Sequence, residues 1–147
     1  MKKIILDTNA YTRLLAGRED VLDIISTADI LYMSIFVLGE LYTGFTGGSK
    51  EQENREILNR FLLKPTVKIL NATLETAEVF GMVKSKLKAA GTPLPINNLW
   101  IAAHAIETGS IVVTFDKHFN EVSGLRLWDL FNTKSKNPQK KHSKNDP

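Results

Sequence analysis

The sequence predicts an α/β domain with a central, mainly parallel sheet of about five strands and helices on both faces. Three observations carry that prediction. Short apolar runs alternate along the chain with longer stretches of helical spacing, the order that builds a parallel sheet with helices over both faces. The run SIVVTF, residues 110–115, is rich in β-branched residues and bounded by Gly109 and Asp116, as a strand should be. The chain has 147 residues, 43% of them apolar, enough for one domain with a real core.

KKIIL, residues 2–6, is a short apolar run that ends at DTN and reads as a buried strand entering a turn. NAYTRLLAG and REDVLDIISTA carry helical spacing, with Gly17 as the break between them. ILYMS, residues 30–34, is a second strand. Ser34 is placed to cap the helix IFVLGELYTGF, on which Phe36, Val37, Leu41 and Phe45 share one face. TGGSKEQ is a loop, and EQENREILNRFLLK is an amphipathic helix stopped by Pro65. TVKIL, residues 66–70, is a third strand. LETAEVFGMVKSKLKAAG is a long helix ending at Gly91. After TPLP comes PINNLWIAAHA, residues 95–105, apolar on nearly every side and so a helix buried in the core, with Asn97 or Asn98 as its expected N-cap. SIVVTF follows, and LRLWDLF closes the domain as a short strand or a strand-to-helix piece.

Composition excludes several classes. No cysteine means no disulfide framework and no thiolate metal site. The opening MKKIILDTNAY meets Asp7 too early for a signal peptide, and no apolar run approaches a membrane span, so a cytoplasmic protein is expected. The net charge of +3 belongs mainly to residues 133–147, which hold five lysines and one aspartate. The remainder carries 14 basic and 15 acidic residues. The expected organisation is one domain over 1–132 and a basic, disordered tail over 133–147.

In parallel α/β sheets ligands gather at the carboxyl ends of the strands. Asp7 directly follows the first strand and Asp116 directly follows SIVVTF. Glu40 lies beside the apolar stripe of its helix, where a carboxylate is costly unless something positive meets it. Each acid also has a plain structural role open to it: an Asx turn for Asp7, a cap on DKHF for Asp116, a tilt into water for Glu40. Taken together they point to a divalent-cation pocket, and hard oxygen donors favour Mg²⁺ or Mn²⁺ over Zn²⁺. His104, His118 and His142 show no paired-ligand spacing, and His104, inside an apolar helix, reads as structural.

The stretches ILDTNAYTRLL, SIFVLGELYTGF, PINNLWIAAHA and VVTFDKHF, in this order and spacing, resemble the PIN-domain ribonucleases, and among them the VapC-type toxins of prokaryotic toxin–antitoxin pairs. The resemblance covers residues 2 to about 130. It implies a single PIN-like domain whose acids are Asp7, Glu40 and Asp116, with Asn9 and Thr114 as polar supports around them. It places a further acid where this chain has Asn98, a neutral isostere that can offer an oxygen but supplies no charge. It implies a Mg²⁺- or Mn²⁺-dependent endoribonuclease acting on tRNA, rRNA or mRNA, a homodimer, a cognate antitoxin covering the acidic cleft, and no membrane. In this chain Asn98 would weaken metal occupancy or catalysis, whether the exchange is natural or an engineered inactivation. Arg13, Lys84, Lys86, Lys88 and Lys117 are the candidates to track an RNA backbone, or are simply solvated faces.

Two rival enzyme classes fail on residues. A haloacid-dehalogenase-type phosphatase would want Asp two positions after Asp7, where Asn9 stands. A receiver domain would want adjacent acids early in the chain and a lysine after a late strand. The non-enzyme rival is a catalytically silent PIN-fold module that binds RNA or an antitoxin.

Overall fold

The computed structural model describes residues 1–129, and the basic tail expected at 133–147 lies outside the described residues. In chain order the elements are β1 (Lys3–Leu6), α1 (Thr8–Leu15), α2 (Glu19–Ser26), β2 (Ile30–Ser34), α3 (Ile35–Phe45), α4 (Glu51–Leu62), β3 (Val67–Leu70), α5 (Leu74–Ala90), α6 (Ile96–Thr108), β4 (Ile111–Thr114), a 3₁₀ turn (Lys117–Glu121) and β5 (Arg126–Asp129). The five strands form one sheet in the order β3-β2-β1-β4-β5, every pair parallel.

Burial explains why the strands read as unbroken apolar runs. Successive strand side chains point to opposite faces, yet Ile4, Ile5 and Leu6 of β1 are all fully buried, as are Val112 and Val113 of β4. Both faces of the central strands are therefore covered. Each such side chain contributes roughly 1.5–3 kcal/mol by leaving water, and Ile5→Ala would cost about 2–5 kcal/mol through the cavity it leaves. LRLWDLF resolves into strand: β5 pairs with β4 from Ile111↔Arg126 to Thr114↔Asp129.

The strand order places the site. The chain moves outward from β1 to β2 and β3, then returns to the other side of β1 for β4 and β5. The order reverses between β1 and β4, so a crevice opens at their carboxyl ends, where open α/β sheets bind ligands. Residue 7 is held there by its backbone, the Asp7 N–H donating to the Val113 carbonyl at 3.3 Å.

Helix starts follow local chemistry. Asp7 caps α1, its Oδ1 accepting from the Ala10 N–H at 2.8 Å. Ser34 caps α3, its Oγ accepting from the Phe36 N–H at 3.2 Å. On α3 the buried stripe is Val37, Leu38, Leu41 and Phe45; Phe36 instead lies half-buried, stacked on Trp100 at 4.7 Å. α6 departs from expectation. It begins at Ile96 with Pro95 as its cap residue and no side-chain cap bond, so neither Asn97 nor Asn98 is the N-cap. Pro95, with φ −53° and ψ 141°, stands just outside the helix, where no intrahelical bond needs its missing N–H. Asn98 becomes the third helical residue, and its side chain is free to turn elsewhere.

Candidate active site

Three of the expected residues are joined by hydrogen bonds: Asp7 after β1 and Asp116 after β4 through Thr114, and Asn98 in the first turn of α6 directly to Asp116. Glu40 lies on α3 and makes no hydrogen bond to them among the described residues. α6 runs straight into β4 through Gly109 and Ser110, so its N-terminal turn lies at the carboxyl end of that strand.

Thr114 joins the two strand-end acids. Its Oγ1 donates to Asp7 Oδ2 and accepts from the Asp116 N–H at 2.9 Å. Asp7 is 4% exposed, and both its oxygens are used by neighbours. Burial pushes its pKa from the usual carboxylate range up to about 6. The Thr114 and Ala10 hydrogen bonds oppose that rise, and the negative charges of Asp116 and Glu40 add to it. Glu40 is half-buried on α3.

Asp116 sits in a different environment. Burial pushes its pKa up, but the His118 N–H, the Asn98 amide and the His118 ring outweigh burial and leave it below the ordinary value. Asn98 Nδ2 donates to Asp116 Oδ2 at 2.9 Å. His118 donates its N–H to Oδ1 at 2.9 Å and sets ring Nδ1 2.6 Å from the same oxygen. His118 was not singled out as a site residue in the sequence; the Asp-x-His spacing of residues 116 and 118 is the signal that points to it.

The remaining candidates divide by place. Asn9 is exposed on α1; its backbone carbonyl accepts from Thr12, and among the described residues no hydrogen bond links its side chain to the acids. Arg13 lies against the Phe115 ring at 4.1 Å, with Arg18 at 5.0 Å from the same ring, so cationic groups stand one residue from Asp116. Lys117 is exposed beside it. Lys84 and Lys88 border a groove between α5 and α6, whereas Lys86 borders a second one opposite Glu121. His104 is structural, as expected: it is fully buried, and its Nδ1 meets Ser34 Oγ at 2.9 Å.

The donor set fits a hard divalent cation in kind. Asp7, Glu40 and Asp116 offer carboxylate oxygens, and among the described residues no lysine or arginine pairs with any of them. No three His, Cys, Asp or Glu side chains among the described residues form a ready-made cage. Mg²⁺ needs none, since it is usually held by one or two carboxylates and fills its other positions with water and substrate phosphate. Among the described residues no helix is long and apolar enough to cross a membrane.

Residues 4–125 match the family model described as PIN domain. The chain is 31% identical over 131 residues to Ribonuclease VapC2 of Haemophilus influenzae, covering 86% of this chain and 96% of that protein. It is 28% identical over 131 residues to Ribonuclease VapC2 of Rickettsia felis, covering 84% and 96%. Its fold superposes with a TM-score of 0.77, at 26% identity, on a chain of the VapBC-1 structure from nontypeable Haemophilus influenzae, covering 86% of this chain and 97% of that one.

Proposed function

We propose, from the premise that this chain belongs to the PIN domain family, that it is a divalent-metal-dependent endoribonuclease of the VapC toxin type. The observation that carries this reading is the Asp7–Thr114–Asp116 connection across the switch point of the sheet, with Glu40 adding charge to the same crevice. The names of the relatives support RNA as substrate. The VapBC-1 likeness supports an antitoxin as the partner that covers the crevice.

Asp7, Glu40 and Asp116 would hold Mg²⁺ or Mn²⁺. When bound, such an ion lowers the pKa of water and neutralises charge on the scissile phosphate. The residues of the chain do the rest. Thr114 fixes Asp7 by donating to it and fixes the Asp116 backbone by accepting from it. Ala10 holds the other oxygen of Asp7. Asn98 and His118 orient the Asp116 carboxylate from two sides. Arg13 and Lys117 are placed to meet the backbone of a strand entering beside Phe115. A homodimer belongs to the same reading: the exposed Ile35, Leu74 and Ile96 lie on the three helices whose Phe36, Phe80 and Trp100 rings stack together.

One observation favours a second reading. Asn98 already satisfies Asp116 with a hydrogen bond, which suits a silent module that binds RNA or an antitoxin without cutting. RNA cleavage by this chain and by Asn98→Asp, with Mg²⁺ or Mn²⁺ and then with chelator, separates the two. Metal-dependent cuts in either form support the ribonuclease; binding without cuts in both supports the silent module.

A further inference from the structure

We propose that the groove between the last turns of α5 and the start of α6 is a subsite for one unpaired nucleotide of the RNA, beside the acidic crevice. The inference rests on the ribonuclease reading and deepens it. The groove measures about 320 Å³, at the small end of ligand pockets. Leu87, Pro93, Leu94 and Leu99 give it an apolar floor, and Lys84 and Lys88 stand on its rim.

Three features select the occupant. The first is charge. Lys84 and Lys88 are exposed, one helical turn apart, and neither makes an ion pair among the described residues. Lys84 stands over the Phe80 ring at 5.8 Å, and two ammonium groups without an acidic partner beside an apolar floor complement a nucleotide, whose ring faces pack on apolar side chains while its phosphate is an anion. The second is continuity. Leu99 follows Asn98 directly, and the short link from Gly91 to Pro95 brings the end of α5 to the same edge of the sheet. The groove therefore borders the helical turn whose Asn98 bonds Asp116. The third is shape. A base reaches an apolar floor only when it is unstacked and unpaired, so the subsite demands single-stranded RNA on that side of the cut.

The test measures binding of a labelled single-stranded RNA oligonucleotide to the full chain in Mg²⁺, before cleavage accumulates. Lys84→Ala/Lys88→Ala is compared with Lys68→Ala, an exposed lysine on the edge strand β3. The double variant should bind about tenfold more weakly, with a salt dependence shallower by roughly 1.4 in the log–log slope for two lost phosphate contacts. Lys68→Ala should match the parent, and the same RNA annealed to its complement should bind poorly. Walking one abasic nucleotide along the oligonucleotide should find one sensitive position. That sensitivity should vanish in Thr92→Trp, which fills the groove from its link, with a thermal melt to confirm folding. Unchanged affinity and slope, no sensitive position, or equal binding of duplex would each overturn the subsite. A parent chain that binds no RNA would overturn the ribonuclease reading as well, whereas RNA binding indifferent to these variants removes the groove alone.

Discussion

Asn98 donates its side-chain amide to Asp116 across 2.9 Å, joining the first turn of α6 to the loop after β4. A carboxylate cannot make this contact. Two like charges at about 4 Å repel by roughly 4 kcal/mol at an effective dielectric near 20, so an acid at position 98 would need a cation or a shared proton. The Asn98 bond helps to hold Asp116 below its ordinary pKa.

Asp7 makes stability depend on pH. Its native pKa, about 6, lies above its ordinary 3.8, so the native state favours the protonated form. In chelator the Asp7 contribution is complete below pH 4 and is lost as pH rises through 6. Its size is about 3 kcal/mol, at roughly 1.4 kcal/mol per tenfold change in proton affinity. Asp7→Asn should therefore raise the urea midpoint at pH 7 in chelator by an amount worth about 1–2 kcal/mol, the weaker hydrogen bonds of a neutral amide to Thr114 and Ala10 offsetting the rest. The same variant should lose the stabilisation gained from Mg²⁺. A lower midpoint in chelator would show that Asp7 is not a destabilised acid.

Thr114→Val keeps shape but removes one hydroxyl that serves two acids. It leaves the Asp116 N–H without its partner and Asp7 without its donor. The expected cost is about 1–3 kcal/mol of stability, measured by urea unfolding. The Asp7 pKa, followed by NMR, should climb beyond about 6, because the Thr114 bond lowers it. In a cleaving form of the chain the loss should fall on kcat, with KM little changed.

Ser34 and His104, 70 residues apart, hold α3 against α6. Burial lowers the His104 pKa, so the native state refuses a proton that the unfolded chain accepts. That contribution to stability is present above the ordinary histidine value of 6.5 and is lost as pH falls below it. Ser34→Ala removes both the cap of α3 and the partner of the imidazole. It should destabilise by about 1–3 kcal/mol at pH 7.5. His104→Gln should flatten the acid side of the stability profile between pH 7 and 5, read from thermal melts; an unaltered slope would locate the acid sensitivity elsewhere.

The strands were legible because a parallel sheet buried on both faces needs continuous apolar runs, and Ile4, Ile5 and Leu6 supply one. Asp7 and Asp116 stand out in the sequence because strand ends are where such sheets bind ligands, and the structure joins the two through Thr114. The start of α6 differs from expectation because Asn outranks Pro as a cap, while in the structure Pro95 takes the cap position and the Asn98 side chain bonds Asp116 instead. The stacking of Arg13 on Phe115, the pairing of His104 with Ser34 and the ring of His118 on Asp116 are contacts between side chains. The first two join residues far apart in sequence and leave no local pattern. The groove beside Lys84 and Lys88 is formed by two helices and their link, and no single stretch of sequence announces it.

The most direct test of the proposed cation site is the melting shift that Mg²⁺ produces over chelator, in this chain and in Asn98→Asp. The variant should melt lower in chelator, where four acids repel one another. It should gain more from Mg²⁺ than the parent does, since binding to the native state alone adds about 2.7 kcal/mol at a hundredfold excess over Kd. Equal shifts in the two proteins, or a variant that melts no lower without metal, would contradict the placement of residue 98 in a cation site.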